Sequence, residues 1–230
     1  MMFSRLRTCI CAAALAGFST SSLRAEYLAL YDFEGDWLKN YAAPTGATAS
    51  NFFWQSAPVA LSPISQAAKG DKSTDPFPTS AATGFDDWDY NALSFRSLSA
   101  NGGSEAGAFA GGHYVGFTIT PNENLVLNLS LLEFKLSMSI TGGANTFFVR
   151  SSLDNYTTTL LTGTITTSYQ KFSLNLAELG FVSLDDAVQF RIYFYSPGET
   201  PSRSAYNYVD KVLLQGTTAI PEPNTVALLA

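Results

Sequence analysis

The chain alternates apolar and polar residues with a period of two over several short stretches. The clearest runs cover residues 114–120, 132–140 and 188–195. Because successive side chains of a β-strand point to opposite faces, each run presents one apolar and one polar face. Gly, Pro, Asn and Asp turns separate these runs from six further candidate strands, at residues 27–33, 92–97, 146–151, 160–166, 170–176 and 208–215. About nine short strands without a sustained helical stripe predict an all-β fold, an antiparallel two-sheet β-sandwich that is jelly-roll-like.

The composition excludes several classes of protein. Only 14% of the 230 residues are charged and the net charge is −6, which argues against nucleic acid as a partner because nucleic-acid binding requires a basic surface. One histidine and two cysteines are too few for a histidine-rich metal site or a framework of disulfides. The core must therefore hold the fold together.

The first 25 residues have the three-part organisation of a secretory signal peptide. Arg5 and Arg7 precede an apolar stretch at residues 9–18, and a small polar run ends in the tripeptide Leu-Arg-Ala. This order predicts export by the general secretory route, with cleavage after Ala25. Loss of the three arginines of this segment leaves a net charge of −9, and both cysteines leave with it.

The interval 34–91 differs from the rest of the predicted sandwich, which spans residues 26–216. It holds five of the ten prolines, many Ala and Ser residues, and little alternation outside residues 52–54. Proline cannot donate to a central β-ladder, so we expect mostly loop with one edge strand. Loops of this length in a compact domain are either functional or mobile, and if the protein binds a ligand, we expect the site here first.

The C-terminal segment 217–230 carries the most specific motif. Pro221, Glu222 and Pro223 form a Pro-Glu-Pro tripeptide, and an apolar run follows at residues 226–230. Because proline restricts its own backbone and that of the preceding residue, we expect the segment to leave the fold at Gly216 as a detachable tail.

This tripeptide and the apolar run resemble the start of a PEP-CTERM sorting signal. Strand-like stretches at residues 114–120, 149–156, 189–195 and 208–216 also resemble the jelly-roll bodies that such proteins commonly carry. The resemblance implies an exosortase at the inner membrane as partner and delivery to the bacterial cell surface or extracellular matrix. The apolar run is far shorter than the roughly twenty residues that span a bilayer. We therefore expect the gene to continue with about fifteen apolar residues and a basic cluster, and membrane contact only through that helix.

No catalytic signature is present. His113 is the sole imidazole, and no Gly-x-Ser-x-Gly motif accompanies it, so it is interpreted as a strand-edge residue rather than a catalytic base. The glutamates are scattered, with Glu133 on a polar face, and lack the Glu-x-Asp-x-x-Glu strand of jelly-roll glucanases. We therefore predict a non-enzymatic protein.

One loop is a candidate ligand site. Asp86, Asp87 and Asp89 surround Trp88, and such carboxylates can bind Ca²⁺, although an acidic surface turn explains the same cluster. Trp54 lies in the same loop-rich half, and exposed indole rings could stack on sugars or simply cover the edge of the sandwich. Apart from Ca²⁺ at this loop, no cofactor or metal is expected. The alternative functions left open are a carbohydrate-binding module for exopolysaccharide and a glycan-active enzyme.

Overall fold

The computed structural model describes residues 25–33, 38–55, 65–68, 91–96, 103–139, 144–197 and 206–221. Strands dominate these residues. In chain order they are β1 (Glu26–Tyr31), β2 (Ala47–Ala49), β3 (Phe53–Gln55), β4 (Ser65–Ala68), β5 (Asn91–Arg96), β6 (Tyr114–Pro121), β7 (Val126–Met138), β8 (Thr146–Ser151), β9 (Leu161–Thr164), β10 (Gln170–Asn175), β11 (Val188–Tyr195) and β12 (Tyr206–Ala219).

These strands form two antiparallel sheets. The first sheet has the order β10-β7-β12-β5-β4, and β1 pairs with β12. The second sheet has the order β2-β6-β11-β8-β9, and β3 pairs with β6. Neighbours within both sheets are mostly distant along the chain, as Greek-key connections require. The predicted two-sheet β-sandwich is confirmed.

The apolar faces of the two sheets pack against each other to form the core. Leu132, Phe134 and Leu136 of β7 are fully buried, and so are Phe190 and Ile192 of β11. The alternating pattern therefore orients both strands correctly. Rings from the two sheets meet in the middle: those of Phe134 and Phe147 lie 5.6 Å apart, edge to face.

The interval 34–91 contains more regular structure than the sequence predicts. Besides β3, its described residues include the short strands β2 and β4, where only one edge strand was expected. β2 and β3 pair with two parts of β6, and β4 pairs with β5. Partners elsewhere in the chain supply the hydrogen bonds here, and these strands are too short to show a local pattern.

The last strand also runs further than expected. Thr217, Thr218 and Ala219 continue β12 and pair with residues 126–128 of β7, so the fold does not end at Gly216. Thr218 packs so closely on Gly46 that a Cβ at Gly46 would lie 2.0 Å from its Oγ1. The physical reason is that a proline restricts itself and the residue before it, so Pro221 leaves these three residues free to pair.

A helix that the sequence did not reveal lies beside the second sheet. Helix α1 (Glu105–Gly111) has Ser104 as its N-cap, whose Oγ accepts a hydrogen bond from the Gly107 N–H at 3.1 Å. Gly112 ends it in the left-handed conformation with φ of 66°. Seven residues are too few for an amphipathic stripe, although the Ser and Gly caps were visible signals. No helix among the described residues is long and apolar enough to cross a membrane.

Candidate functional site

The outer face of the second sheet carries aromatic and arginine side chains in cross-strand rows. One row pairs Tyr114 of β6 with Tyr193 of β11 and Phe148 of β8. The next row on the same face pairs Gly116, Arg191 and Arg150, and a third pairs Thr118 with Gln189. This face brings together strands that are separated by dozens of residues.

The aromatic row is a packed layer beneath helix α1. The rings of Phe148 and Tyr193 stack at 4.7 Å with an interplanar angle of 4°, and Tyr114 lies 5.3 Å from Tyr193. Ala108 of α1 completes this cluster, and all four side chains are buried. Burial raises the pKa of both tyrosine hydroxyls, so they are neutral hydrogen-bonding groups at neutral pH. This row therefore forms a rigid, buried layer.

Arg191 lies at the edge of this buried aromatic layer, between two tyrosine rings. Its guanidinium carbon is 4.2 Å from the ring centroid of Tyr114 and 3.6 Å from that of Tyr156, both within the range of cation–π attraction. Its Nε donates a hydrogen bond of 2.6 Å to Oε1 of Gln189. The side chain is thus held in one orientation while remaining only half-buried.

A polar network continues from this arginine. The Tyr156 hydroxyl donates to Gln189 Oε1 at 2.7 Å, and Gln189 Nε2 donates to Thr118 Oγ1 at 3.3 Å. Alternation along β11 predicts a solvated position for Gln189, whereas the structure shows it half-buried and hydrogen-bonded. We call Tyr114, Thr118, Tyr156, Gln189 and Arg191 the arginine–tyrosine cluster.

An unusual turn brings Tyr156 over the sheet. Asn155 and Tyr156 both adopt positive φ, 56° and 60°, directly after a 3₁₀ turn at Ser152–Asp154. Such a conformation is uncommon for tyrosine and tends to occur at functional positions. The Asp154 carboxylate stabilises the turn by accepting hydrogen bonds from the Thr158 and Thr157 backbone N–H groups at 2.8 and 3.3 Å. Hydrogen bonds from Thr158 and Thr157 lower the pKa of Asp154, so the carboxylate is charged at neutral pH and can accept these bonds.

Arg150 has a different role from its neighbour in register. Its Nη2 lies 2.8 Å from Glu105 Oε1 and its Nη1 donates to the Tyr156 carbonyl at 2.7 Å. Thr159 also donates to Glu105. Burial alone would raise the pKa of Glu105, but hydrogen bonds from Thr159 and Arg150 outweigh it and lower that pKa. Arg150 therefore fastens the helix and the turn to β8.

Gly116 leaves the position opposite Arg191 without a side chain. A Cβ there would lie 2.2 Å from the backbone oxygen of Phe190, closer than real contacts allow. Only glycine fits this close strand approach. The arginine side chain can then extend across the sheet to the Tyr114 ring.

His113 sits just before β6 and is 5% exposed. Its Nδ1 makes no hydrogen bond within the described part of the chain, and burial lowers the pKa of the ring. Among the described residues, no hydrogen bond or ion pair links its ring to a hydroxyl nucleophile or a carboxylate. It is placed as a buried neutral residue at the start of a strand.

The site residues predicted from the sequence are not among the five of the arginine–tyrosine cluster. Trp54 lies in β3 opposite Val115 and packs, partly buried, against the main core. Pro221 is exposed just after β12. Six other residues of the two candidate sites lie outside the described residues: Asp86, Asp87, Trp88, Asp89, Glu222 and Pro223. Ca²⁺ binding and the sorting motif therefore stay predictions. The residues that the structure does describe contain no group of three side chains suited to a metal ion.

Comparisons with known proteins find likeness in fold only. No family model and no curated protein matches the chain. Among solved structures, a candidate sugar-binding protein of Bacteroides thetaiotaomicron is 10% identical, with 74% of this chain and 89% of that chain covered and a TM-score of 0.41. The family 11 carbohydrate-binding module of a Clostridium thermocellum cellulase is 10% identical, with coverage of 89% and 100% and a TM-score of 0.32. A family two carbohydrate esterase of Cellvibrio japonicus is 12% identical, with coverage of 77% and 37% and a TM-score of 0.30. Similarity at this level carries no inference about activity.

Proposed function

We propose that this chain is a non-enzymatic, exported bacterial surface protein whose sandwich binds a polysaccharide at the arginine–tyrosine cluster. The observation that carries the binding part is the partly exposed Arg191, fixed between the rings of Tyr114 and Tyr156 beside the Gln189 amide. Sugars expose hydroxyl groups around an apolar ring face, and a site with fixed donors, acceptors and an aromatic surface complements both.

Preorganisation strengthens this proposal. The cluster rests on the buried ring layer, and its polar groups hold one another in place before any ligand arrives. A side chain that is already ordered loses little further entropy on binding. The strained backbone at Tyr156 places one ring where it can contact a ligand and the guanidinium together.

A scaffold protein without a ligand is the second candidate. The burial of Phe148 and Tyr193 favours it, because rings in a packed layer contribute to stability and leave only the edge of the face for binding. The two candidates differ in whether the exposed edge has any affinity for sugars.

Affinity electrophoresis of the full chain tests the binding proposal. The gels would contain neutral polysaccharides (β-glucan, xylan, mannan) or acidic ones (alginate, polygalacturonate), and we expect retardation by at least one. Tyr156→Ala should abolish the retardation because it removes the half-buried ring that packs on Arg191. Leu179→Ala, which removes another apolar side chain that is 44% exposed, should leave it unchanged. Migration unaffected by every polysaccharide favours the scaffold instead.

The export proposal is supported by the three-part N-terminal segment and by the C-terminal tripeptide. N-terminal sequencing of material recovered outside the cytoplasm should give Glu26 as the first residue. A start at Met1 or Met2 would contradict export by the secretory route.

A further inference from the structure

On the outer face of the second sheet, the described residues include two arginines that pair with a single carboxylate. Arg150 and Arg191 lie directly opposite each other on β8 and β11, an arrangement that is repulsive for like charges. Glu105 is the one carboxylate that pairs with them among the described residues, and it is 2.8 Å from Arg150. Arg191 has no carboxylate partner within the described ranges. Among the described residues, this face thus carries a positive charge that no carboxylate compensates, on a chain whose net charge is −6.

The geometry of Arg191 leaves one edge of its guanidinium able to bind an anionic ligand. Two rings cover its flat faces, and its Nε is used by Gln189. Tyr193 provides one further hydrogen-bonding contact. A guanidinium has five N–H donors arranged in a plane, so donors remain at its edge. A carboxylate binds such an edge through two parallel hydrogen bonds.

We propose that the saccharide recognised by the arginine–tyrosine cluster is anionic and places a carboxylate, as in a uronic acid, on the Arg191 guanidinium. This inference rests on the proposed function. The adjacent Thr118 hydroxyl, Gln189 amide and Tyr156 hydroxyl would bind the hydroxyl groups of the same sugar. An acidic chain repels polyanions in general, so the attraction is confined to this cluster and weakens as salt screens it.

Calorimetric titration of the full chain with matched oligosaccharides tests the inference. The probes are hexamers of galacturonate and of mannuronate, each as the free acid and as the methyl ester, which removes the charge but keeps the sugar. We expect at least one free acid to bind roughly ten- to hundredfold more tightly than its ester, the range that corresponds to one charge-assisted hydrogen-bonded contact.

Three variants connect the charge preference to Arg191. Arg191→Gln should weaken acid binding by roughly the same factor and so remove most of the difference in affinity between acid and ester, whereas Arg191→Lys should retain part of that difference. Lys171→Gln removes one positive charge from the first sheet and should have no effect, which controls for net charge. Melting curves of all variants confirm that the fold is kept.

The outcomes separate the two proposals. Equal affinity for acid and ester, or an unchanged acid affinity in Arg191→Gln, would overturn the anionic ligand while the neutral polysaccharide gels still support binding. A lack of binding to every acid, every ester and every neutral polysaccharide would overturn both proposals together.

Discussion

The outer faces of the two sheets carry polar side chains in the same alternating pattern, but these side chains differ in how far they are exposed. On the first sheet, Lys135 and Ser137 of β7 and Asp210 of β12 are at most 2% exposed. On the second sheet, Gln189 and Arg191 of β11 are half-buried and bonded to each other. A period of two identifies which face a side chain occupies, but not whether water or protein covers that face.

This difference in burial implies that the outer face of the first sheet contributes to stability and that of the second sheet to binding. Buried ionisable groups are costly unless they are compensated, so those of the first sheet act on stability. Partly exposed groups that orient one another cost less to keep in the folded protein and can exchange bound water for a ligand. Substitutions of the buried groups on the first sheet should therefore have the larger effect on unfolding, and those in the arginine–tyrosine cluster should have the larger effect on binding.

The largest expected effect comes from Lys135, which faces Asp210 in register. Lys135→Met keeps the length of the side chain but removes its charge from a buried position. We expect the free energy of unfolding to fall by about 3–5 kcal/mol in urea titrations, the usual cost of removing one partner from buried charged groups. A loss below about 1 kcal/mol would mean that substitution at this buried position costs no more than substitution at an exposed one.

A smaller effect is expected at Gln189 on the second sheet. Gln189→Ala leaves the Arg191 Nε–H and the Tyr156 hydroxyl without their acceptor. Because both groups can turn to water, the free energy of unfolding should fall by only about 1–2 kcal/mol. Thermal and urea unfolding check this value, with Gln189→Glu as the control that keeps an acceptor. A cost as large as that of Lys135→Met would remove the distinction between the faces.

Acidification tests the buried histidine. Burial lowers the pKa of His113 in the folded state, so the unfolded chain binds more protons below about pH 6.5. The free energy of unfolding should therefore decrease from pH 7 to pH 5, and His113→Gln should reduce that decrease. The lowered pKa of Glu105 acts in the same direction only at lower pH, as its carboxylate becomes protonated. A pH dependence that is identical in the variant would contradict the assignment to His113.

The smallest effect is expected at an ion pair exposed on the first sheet. Lys171 Nζ lies 3.4 Å from Glu133 Oε1, with 39% of the lysine side chain exposed. Lys171→Gln should change the free energy of unfolding by no more than about 0.5 kcal/mol, because exposed pairs are screened. A larger change would show that Glu133 is coupled to the buried groups beside it.

The strands were largely predictable, because burial imposes the alternating pattern directly. The run at residues 146–151 coincides with β8, and that at residues 188–195 coincides with β11. β2 and β4 were missed because three or four residues cannot display a period. The end of β12 was misplaced because the restraint imposed by Pro221 was extended too far back along the chain.

The candidate site was much less predictable than the fold. Tyr114, Tyr156 and Arg191 meet only because β6, β11 and β8 lie side by side, an order that alternation cannot reveal. The positive φ of Tyr156 has no signature in the residue itself, although Asp-Asn before it marks a turn. The sequence instead indicated the acidic loop at residues 86–89, because its carboxylate and indole side chains suggest ligand binding by their type alone.

Saccharide binding at Arg191 is tested most directly by following this side chain while a saccharide is added. Side-chain Nε–H signals of arginine would be followed by NMR during titration of the full chain with the oligosaccharide that binds most tightly. We predict a saturable shift of the Arg191 signal, together with the Gln189 side-chain amide, while the Arg150 signal, engaged by Thr159, changes little. Saturable binding that leaves the signals of Arg191 and Gln189 unshifted would contradict binding at the arginine–tyrosine cluster and place the saccharide site elsewhere on the molecule.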